Sequence, residues 1–206
     1  FGRCEEDLSA PYQPLIEGLR PWLASVDSSV LSAFPQTLLA DAARFWPELA
    51  GRIPSLPLPP PRDADEERYA CFEATLELLA IAAKSSPVLF VIDDVQWATS
   101  PTVLLLRHLM KADRRLRALF VCTFRDAEVD GMHPFAGALA DFRRAGTAEA
   151  LALTRLYRSD IEAYARALGP SGPADIAARL VDAPAGTPAF VRGLRASPRA
   201  PPVAPE

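Results

Sequence analysis

Five apolar residues, Val88, Leu89, Phe90, Val91 and Ile92, run without alternation and stop at Asp93-Asp94. Such a run predicts an interior strand of a parallel sheet, buried on both faces. Ser100-Pro101 then predicts a helix start, with Ser100 as N-cap, proline in the first turn and a body from Thr102 to about Lys111. A second buried strand is predicted over Ala118 to Phe124, then a loop from Glu128 to Pro134 and a helix from Phe135 to Arg144. A short third strand is expected near Ala150 to Thr154. Strands alternating with helices at this spacing indicate βαβ units and a parallel sheet.

Upstream of the central strand the period is helical. Leu15, Leu19 and Leu23 share one face of a helix from Tyr12 to Ala24, in which Pro21 is expected to kink or split the rod. A second helix is predicted from about Gln36 to Ala50. Residues 51–62 are proline-rich, with Pro59-Pro60-Pro61, and read as a stiff linker. Asp63 to Glu67 supplies the negative first turn of a helix reaching about Lys84, with Tyr69, Phe72, Leu76, Leu79 and Ala83 on its covering face. From Ser159 onward only helices are predicted: Ser159 to Leu168, Pro173 to Val181 and Pro188 to Arg195. The tail from Ser197 to Glu206 reads as disordered. The expected organisation is therefore residues 1–157 as an α/β core, 158–196 as a helical subdomain and 197–206 as a tail.

Composition narrows the function classes. At 206 residues there is room for one generous domain or two small ones, and no apolar run nears the length of about 20 residues that a membrane span needs. A net charge of −4 argues against direct nucleic-acid binding by this segment. Cys4, Cys71 and Cys122 lie far apart without metal-ligand spacing, and are read as buried hydrophobes of a reducing, cytoplasmic compartment. The chain starts at Phe1 with neither an initiator Met nor a signal-peptide pattern, and reads as an internal piece of a longer protein.

The chemistry concentrates where the central strand leaves the core, because open α/β sheets bind ligands at the carboxyl ends of their strands. Strand, acidic pair, loop and helix form the layout of a Walker B segment. Asp93-Asp94-Val95-Gln96-Trp97-Ala98 resembles the Asp-Asp-Leu-His-Trp-Ala-Asp Walker B of STAND-type ATPases, the signal-transduction branch of the AAA-like P-loop proteins found in large bacterial LuxR-type transcriptional regulators. Residues 1–20 are similar to the segment after that family's second strand. Thr123-Phe124-Arg125 matches its Thr-Tyr-Arg at a sensor-1-like position, and Gly186-Thr187-Pro188-Ala189-Phe190-Val191 resembles its Gly-Asn-Pro-Phe-Phe-Val. The four matches fall in the family's order over about residues 1–195. Three positions depart from it: Thr99 replaces the last Walker B acid, Thr187 the asparagine and Gly193 a glutamate. No GxxxxGK[ST] loop occurs, and in the family that loop precedes the segment beginning at Phe1.

The resemblance implies a three-layer P-loop NTPase (AAA-like) parallel sheet followed by a small helical subdomain. It implies ATP and Mg²⁺ as cofactors, slow hydrolysis as a conformational switch, and output domains outside this chain, DNA-binding among them, with nucleotide-dependent oligomers. Asp93 would support the metal shell, while Asp94 and Arg125 would be catalytic. Thr123 and Pro188 would contact nucleotide. Each has a plainer reading: the acids as a turn and helix-start device, Arg125 as a surface arginine, Trp97 as packing over the loop and Pro188 as a helix start. Two other functions stay open: a degenerate, non-hydrolysing regulatory or scaffold module, and an unrelated α/β enzyme using Asp93/Asp94 for metal-dependent chemistry. His108 and His133 are assigned no metal.

Overall fold

The computed structural model describes residues 1–7, 10–32, 34–53, 55–112, 116–154, 157, 159, 160 and 163. Two compact units divide the chain, Phe1–Glu149 and Ala150–Glu206. The helices predicted beyond Ser159 and the motif around Pro188 lie outside the described residues, save for residues 159, 160 and 163, which are helical.

The first unit is organised on three parallel strands in the order β1 (Gly2–Arg3), β2 (Val88–Asp93), β3 (Ala118–Cys122). Phe90 lies opposite Phe120 and Ile92 opposite Cys122, while Gly2 lies opposite Ile92 and Arg3 opposite Asp93. The α/β, parallel-sheet expectation holds for this unit. The expectation of two buried faces does not. Phe90 and Ile92 are buried, but Leu89 and Leu119, paired on the opposite face, are 62% and 63% exposed, and Val121 is exposed too. An unbroken apolar run says nothing about whether something covers each face, and here one face is open. Residues 150–154 form no strand, and Leu151 and Leu153 are exposed. A strand persists only where a neighbour completes its hydrogen-bond ladder, and local composition cannot supply that neighbour.

The covered face is packed by helices. α1 (Gln13–Ser25) buries Leu15, Leu19 and Leu23. It continues through Pro21 as one helix, so the expected split does not occur. Pro21 sits on the exposed side of the helix, where its ring does not disturb the buried leucine face. At Gly18 a β-carbon would come within 2.2 Å of the Phe90 ring, so α1 lies directly on β2.

The helix predicted over Gln36 to Ala50 is two short ones, α3 (Gln36–Ala42) and α4 (Glu48–Arg52), preceded by an unanticipated α2 (Ser28–Ser32). Pro47 explains the division: it lacks an N–H and pushes Trp46 out of helical geometry. Trp46 is fully buried and its indole N–H donates to the Ile16 carbonyl at 2.9 Å. The linker is tied down by arginines. Arg44 donates to the Pro60 carbonyl at 2.7 Å, and Arg62 pairs with the buried Asp41 at 2.5 Å.

α5 (Ala64–Ser85) starts as its acidic first turn foretold. Asp63 accepts from the N–H groups of Asp65 and Glu66 at 3.0 and 2.8 Å, and Glu66 returns a bond to the Asp63 N–H, a capping box. Phe72, Leu76, Leu79 and Ala83 are buried, whereas Tyr69 is 61% exposed and does not belong to the covered face. α6 (Ser100–Lys111) has Thr99 at its N-cap position, one residue before the predicted Ser100 and without a side-chain cap bond. α7 (Pro134–Arg144) follows a 3₁₀ turn at Asp126–Glu128. Among the described residues no helix is long and apolar enough to cross a membrane.

Candidate functional site

At the carboxyl edge of the sheet β2 and β3 end side by side, and their last residues interlock. Thr123, just past β3, links both acids: its hydroxyl donates to Asp93 Oδ1 at 2.5 Å and accepts the Asp94 N–H at 3.0 Å. The Thr123 carbonyl accepts the Val95 N–H at 2.8 Å, and the Thr123 N–H donates to the Ile92 carbonyl at 3.0 Å. These bonds turn the chain sharply out of the strand. Asp94 takes the left-handed conformation (φ 56°, ψ 47°), and Val95–Trp97 form one 3₁₀ turn. Aspartate is among the few residues that visit this region, because its short polar side chain bonds locally.

Both Asp94 oxygens are engaged. Arg3, reaching over from the end of β1, donates to Oδ2 through Nη2 at 2.8 Å and Nε at 3.2 Å, and Gln96 donates to Oδ1 at 3.1 Å. Asp93 Oδ2 lies 3.9 Å from Arg3 Nε. Burial alone would raise the Asp94 carboxyl. The hydrogen bonds from Arg3 and Gln96, with the charges of Arg3 and Arg125, outweigh it and hold the group below the usual carboxylate range. The Arg3 guanidinium is pushed up in turn by its hydrogen bond to Asp94 and by that acid's charge.

Gln96 is itself buried. Its side-chain oxygen accepts the Arg125 N–H at 3.3 Å, and its backbone carbonyl accepts from His133 Nε2 at 2.7 Å. His133 Nδ1 accepts the Phe135 N–H at 3.1 Å and so caps α7. An Nδ1 that accepts carries no proton, which assigns the neutral Nε2–H tautomer. Arg125 turns its guanidinium to Glu128 at 2.7 Å and lies over the Trp97 ring, 5.4 Å from its centroid.

The fold thus brings Asp93, Asp94, Thr123 and Arg125 together, with Pro188 outside the described residues. Sequence reasoning gave no role to Arg3, Gln96 or His133. Gln96 stood in plain view two residues after the acidic pair. Arg3 and His133 enter only through strand order and loop path, which residue spacing does not carry. His108, assigned no metal, lies against the rings of Tyr69 and Phe72 with Nε2 3.0 Å from Glu73 Oε1.

Compared with known proteins, residues 1–122, more than half of the sequence, match the family described as "AAA ATPase domain". The chain belongs to the AAA ATPase domain family. No curated protein and no solved structure matches it in the same comparisons. An AAA ATPase domain implies nucleotide binding, and a parallel sheet with flanking helices fits the α/β, P-loop-like fold of such domains. Magnesium at nucleotide sites keeps several waters and takes one or two carboxylates beside phosphate oxygens. Of the two strand-end acids, Asp94 has both oxygens taken by Arg3 and Gln96, so Asp93 is the carboxylate whose chemistry fits that shared coordination. Among the described residues no cluster of three or more His, Cys, Asp or Glu could cage an ion without such help.

Proposed function

We propose that this domain is the Mg·ATP-responsive module of a multidomain signalling or transcriptional regulator of the STAND, LuxR-associated kind, in which slow hydrolysis resets a conformational switch. The observation that carries this reading is the joining of the two strand-end acids by Thr123. A magnesium ion held there with the nucleotide would neutralise phosphate charge. Asp93, its carboxylate oriented by the Thr123 hydroxyl, is the residue that would hold it, chiefly through water. Asp94, one residue further out and turned by its left-handed backbone, is the residue to orient or deprotonate the attacking water. Arg125 would leave Glu128 to meet the terminal phosphate, and Thr123 would contact nucleotide beside it. The phosphate-cradling loop, and Pro188 with its helical subdomain, would complete the site, and output would pass to further domains, DNA-binding among them.

The test is nucleotide affinity and single-turnover hydrolysis in the complete protein. Asp94→Asn keeps the shape and removes the charge. It should leave Mg·ATP binding intact and cut turnover by about 10²–10⁴-fold. Asp93→Ala should weaken magnesium-dependent binding itself, and Arg125→Ala should keep binding while losing turnover. Equal turnover in Asp94→Asn and the parent would remove Asp94 from catalysis.

That last outcome would favour the second reading, a non-hydrolysing regulatory module. Two observations speak for it: Arg3 occupies the Asp94 carboxylate, and Thr99 stands where the resembling family carries a further acid. The third reading, an unrelated metal-dependent enzyme, gains no support from family membership or from the donor set.

A further inference from the structure

We propose that His133 is a positioning residue for Asp94, acting through Gln96, so that the start of α7 and the Asp94 carboxylate move as one unit. The inference rests on the reading of Asp94 as the residue that handles the attacking water. Three bonds in series carry it: α7 to His133 Nδ1 through the Phe135 N–H, His133 Nε2–H to the Gln96 carbonyl, and Gln96 Nε2–H to Asp94 Oδ1. Gln96 is buried, so its amide cannot exchange these partners for water without exposing the turn. Its side-chain oxygen also takes the Arg125 N–H, which places Asp94 and the Arg125 backbone on opposite ends of one rigid amide. Phe135, next to the cap, is buried and packs edge-on against Phe124, with ring centroids 5.5 Å apart, so the start of α7 is anchored to the segment after β3.

This arrangement sets Asp94 by two independent hands. Arg3 holds Oδ2 from an exposed side chain, whereas Gln96 holds Oδ1 from within the fold. When Arg3 lets go, Gln96 and His133 keep the carboxylate plane aimed. A displacement of α7 is then transmitted to the site over 37 residues of sequence through two side chains.

The experiment is made on the complete protein with His133→Asn, Gln96→Leu, Asp94→Asn and the double variant His133→Asn/Asp94→Asn. Asparagine is a good helix cap and accepts the Phe135 N–H, but it is too short to reach the Gln96 carbonyl, so it separates capping from positioning. The expected result for His133→Asn is a single-turnover rate about three- to tenfold lower, nucleotide affinity within about twofold of the parent, and an unchanged melting temperature. Gln96→Leu should lower the rate at least as much. In the Asp94→Asn background the His133 effect should vanish. Independently of activity, ¹⁵N spectra of histidine-labelled protein should give His133 as the Nε2–H tautomer. A rate equal to the parent in His133→Asn, with Asp94→Asn impaired, overturns the positioning role and leaves the proposed function intact. An Nδ1–H tautomer overturns the link itself. An Asp94→Asn protein as active as the parent overturns the proposed function, and the positioning role falls with it.

Discussion

Gly18 and Gly137 occupy helices of the same unit, and alanine at each should push stability in opposite directions. At Gly18, in α1, a β-carbon would stand 2.2 Å from Cζ of Phe90 and 2.9 Å from both Cε atoms, well inside contact distance. Phe90 has nowhere to retreat, since it is 2% exposed and its ring packs on Phe120 at 5.7 Å between centroids. Overpacking of a filled core costs about 1–3 kcal/mol. Replacing glycine by alanine inside a helix returns about 0.5–1 kcal/mol. The net for Gly18→Ala is therefore a loss of roughly 0–2.5 kcal/mol, about 1–1.5 at the centre of the range. At Gly137, in α7, no atom lies within 4 Å of the added carbon, so only the gain remains. Gly137→Ala should be stabilised by about 0.5–1 kcal/mol. Urea unfolding followed by circular dichroism reads both, and a domain this size moves its melting point by about 2–4 °C per kcal/mol. The reasoning is refuted if Gly18→Ala is more stable than the parent, or if both variants gain stability by the same amount, for then α1 does not lie on Phe90.

Acid should expose the Asp94 contacts. Its folded carboxyl lies below the ordinary value, so the unfolded chain binds the proton more readily. The stabilisation is thus present above about pH 4 and is lost as pH falls through the lowered folded value. The gap in urea midpoint between Asp94→Asn and the parent should narrow as pH falls from 7 into the acid range, and a gap independent of pH would contradict the assignment. Burial pushes the thiols of Cys4 and Cys71 up to about 12 and that of Cys122 to about 11, so at pH 8 a disulfide reagent should react slowly with native protein and at once after denaturation. Rapid labelling of Cys71, which is fully buried, would refute the packing of α5. Trp46→Phe removes an indole bonded to the Ile16 carbonyl deep in the core and should cost about 1–3 kcal/mol by the same unfolding assay; no change would show that bond to be absent.

What the sequence made legible was whatever depends on near neighbours in the chain. The central strand, the capped start of α5 and the helix after the acidic pair all follow from local signals. Errors arose where distant chain decides. The open face at Leu89 and Leu119 depends on what packs there, and the fate of residues 150–154 on a ladder partner. Pro21 and Pro47 are equal on paper, yet one rides on the wet side of α1 while the other divides two helices. At the site, the positions of Asp93, Asp94, Thr123 and Arg125 at neighbouring strand ends were legible, Thr123 and Arg125 by resemblance. Arg3 and His133 were not, because their contacts span 91 and 37 residues and depend on the path of the fold.

The left-handed turn at Asp94 restricts which amino acids that position accepts, whatever its chemistry requires. Most side chains pay about 1–2 kcal/mol to adopt such a backbone, while aspartate and asparagine enter it with local hydrogen bonds and glycine enters freely. The tolerated alphabet at position 94 is therefore short: Asp, Asn and Gly. Glutamate, the nearest acid, would keep the charge yet carry the conformational penalty and reach past Arg3. A loss of function in Asp94→Glu would then report geometry rather than acidity, whereas Asn changes the charge and leaves the turn at rest. Screens that rank substitutions by chemical similarity would misjudge this position, because its main chain discriminates among side chains before its carboxylate meets any ligand.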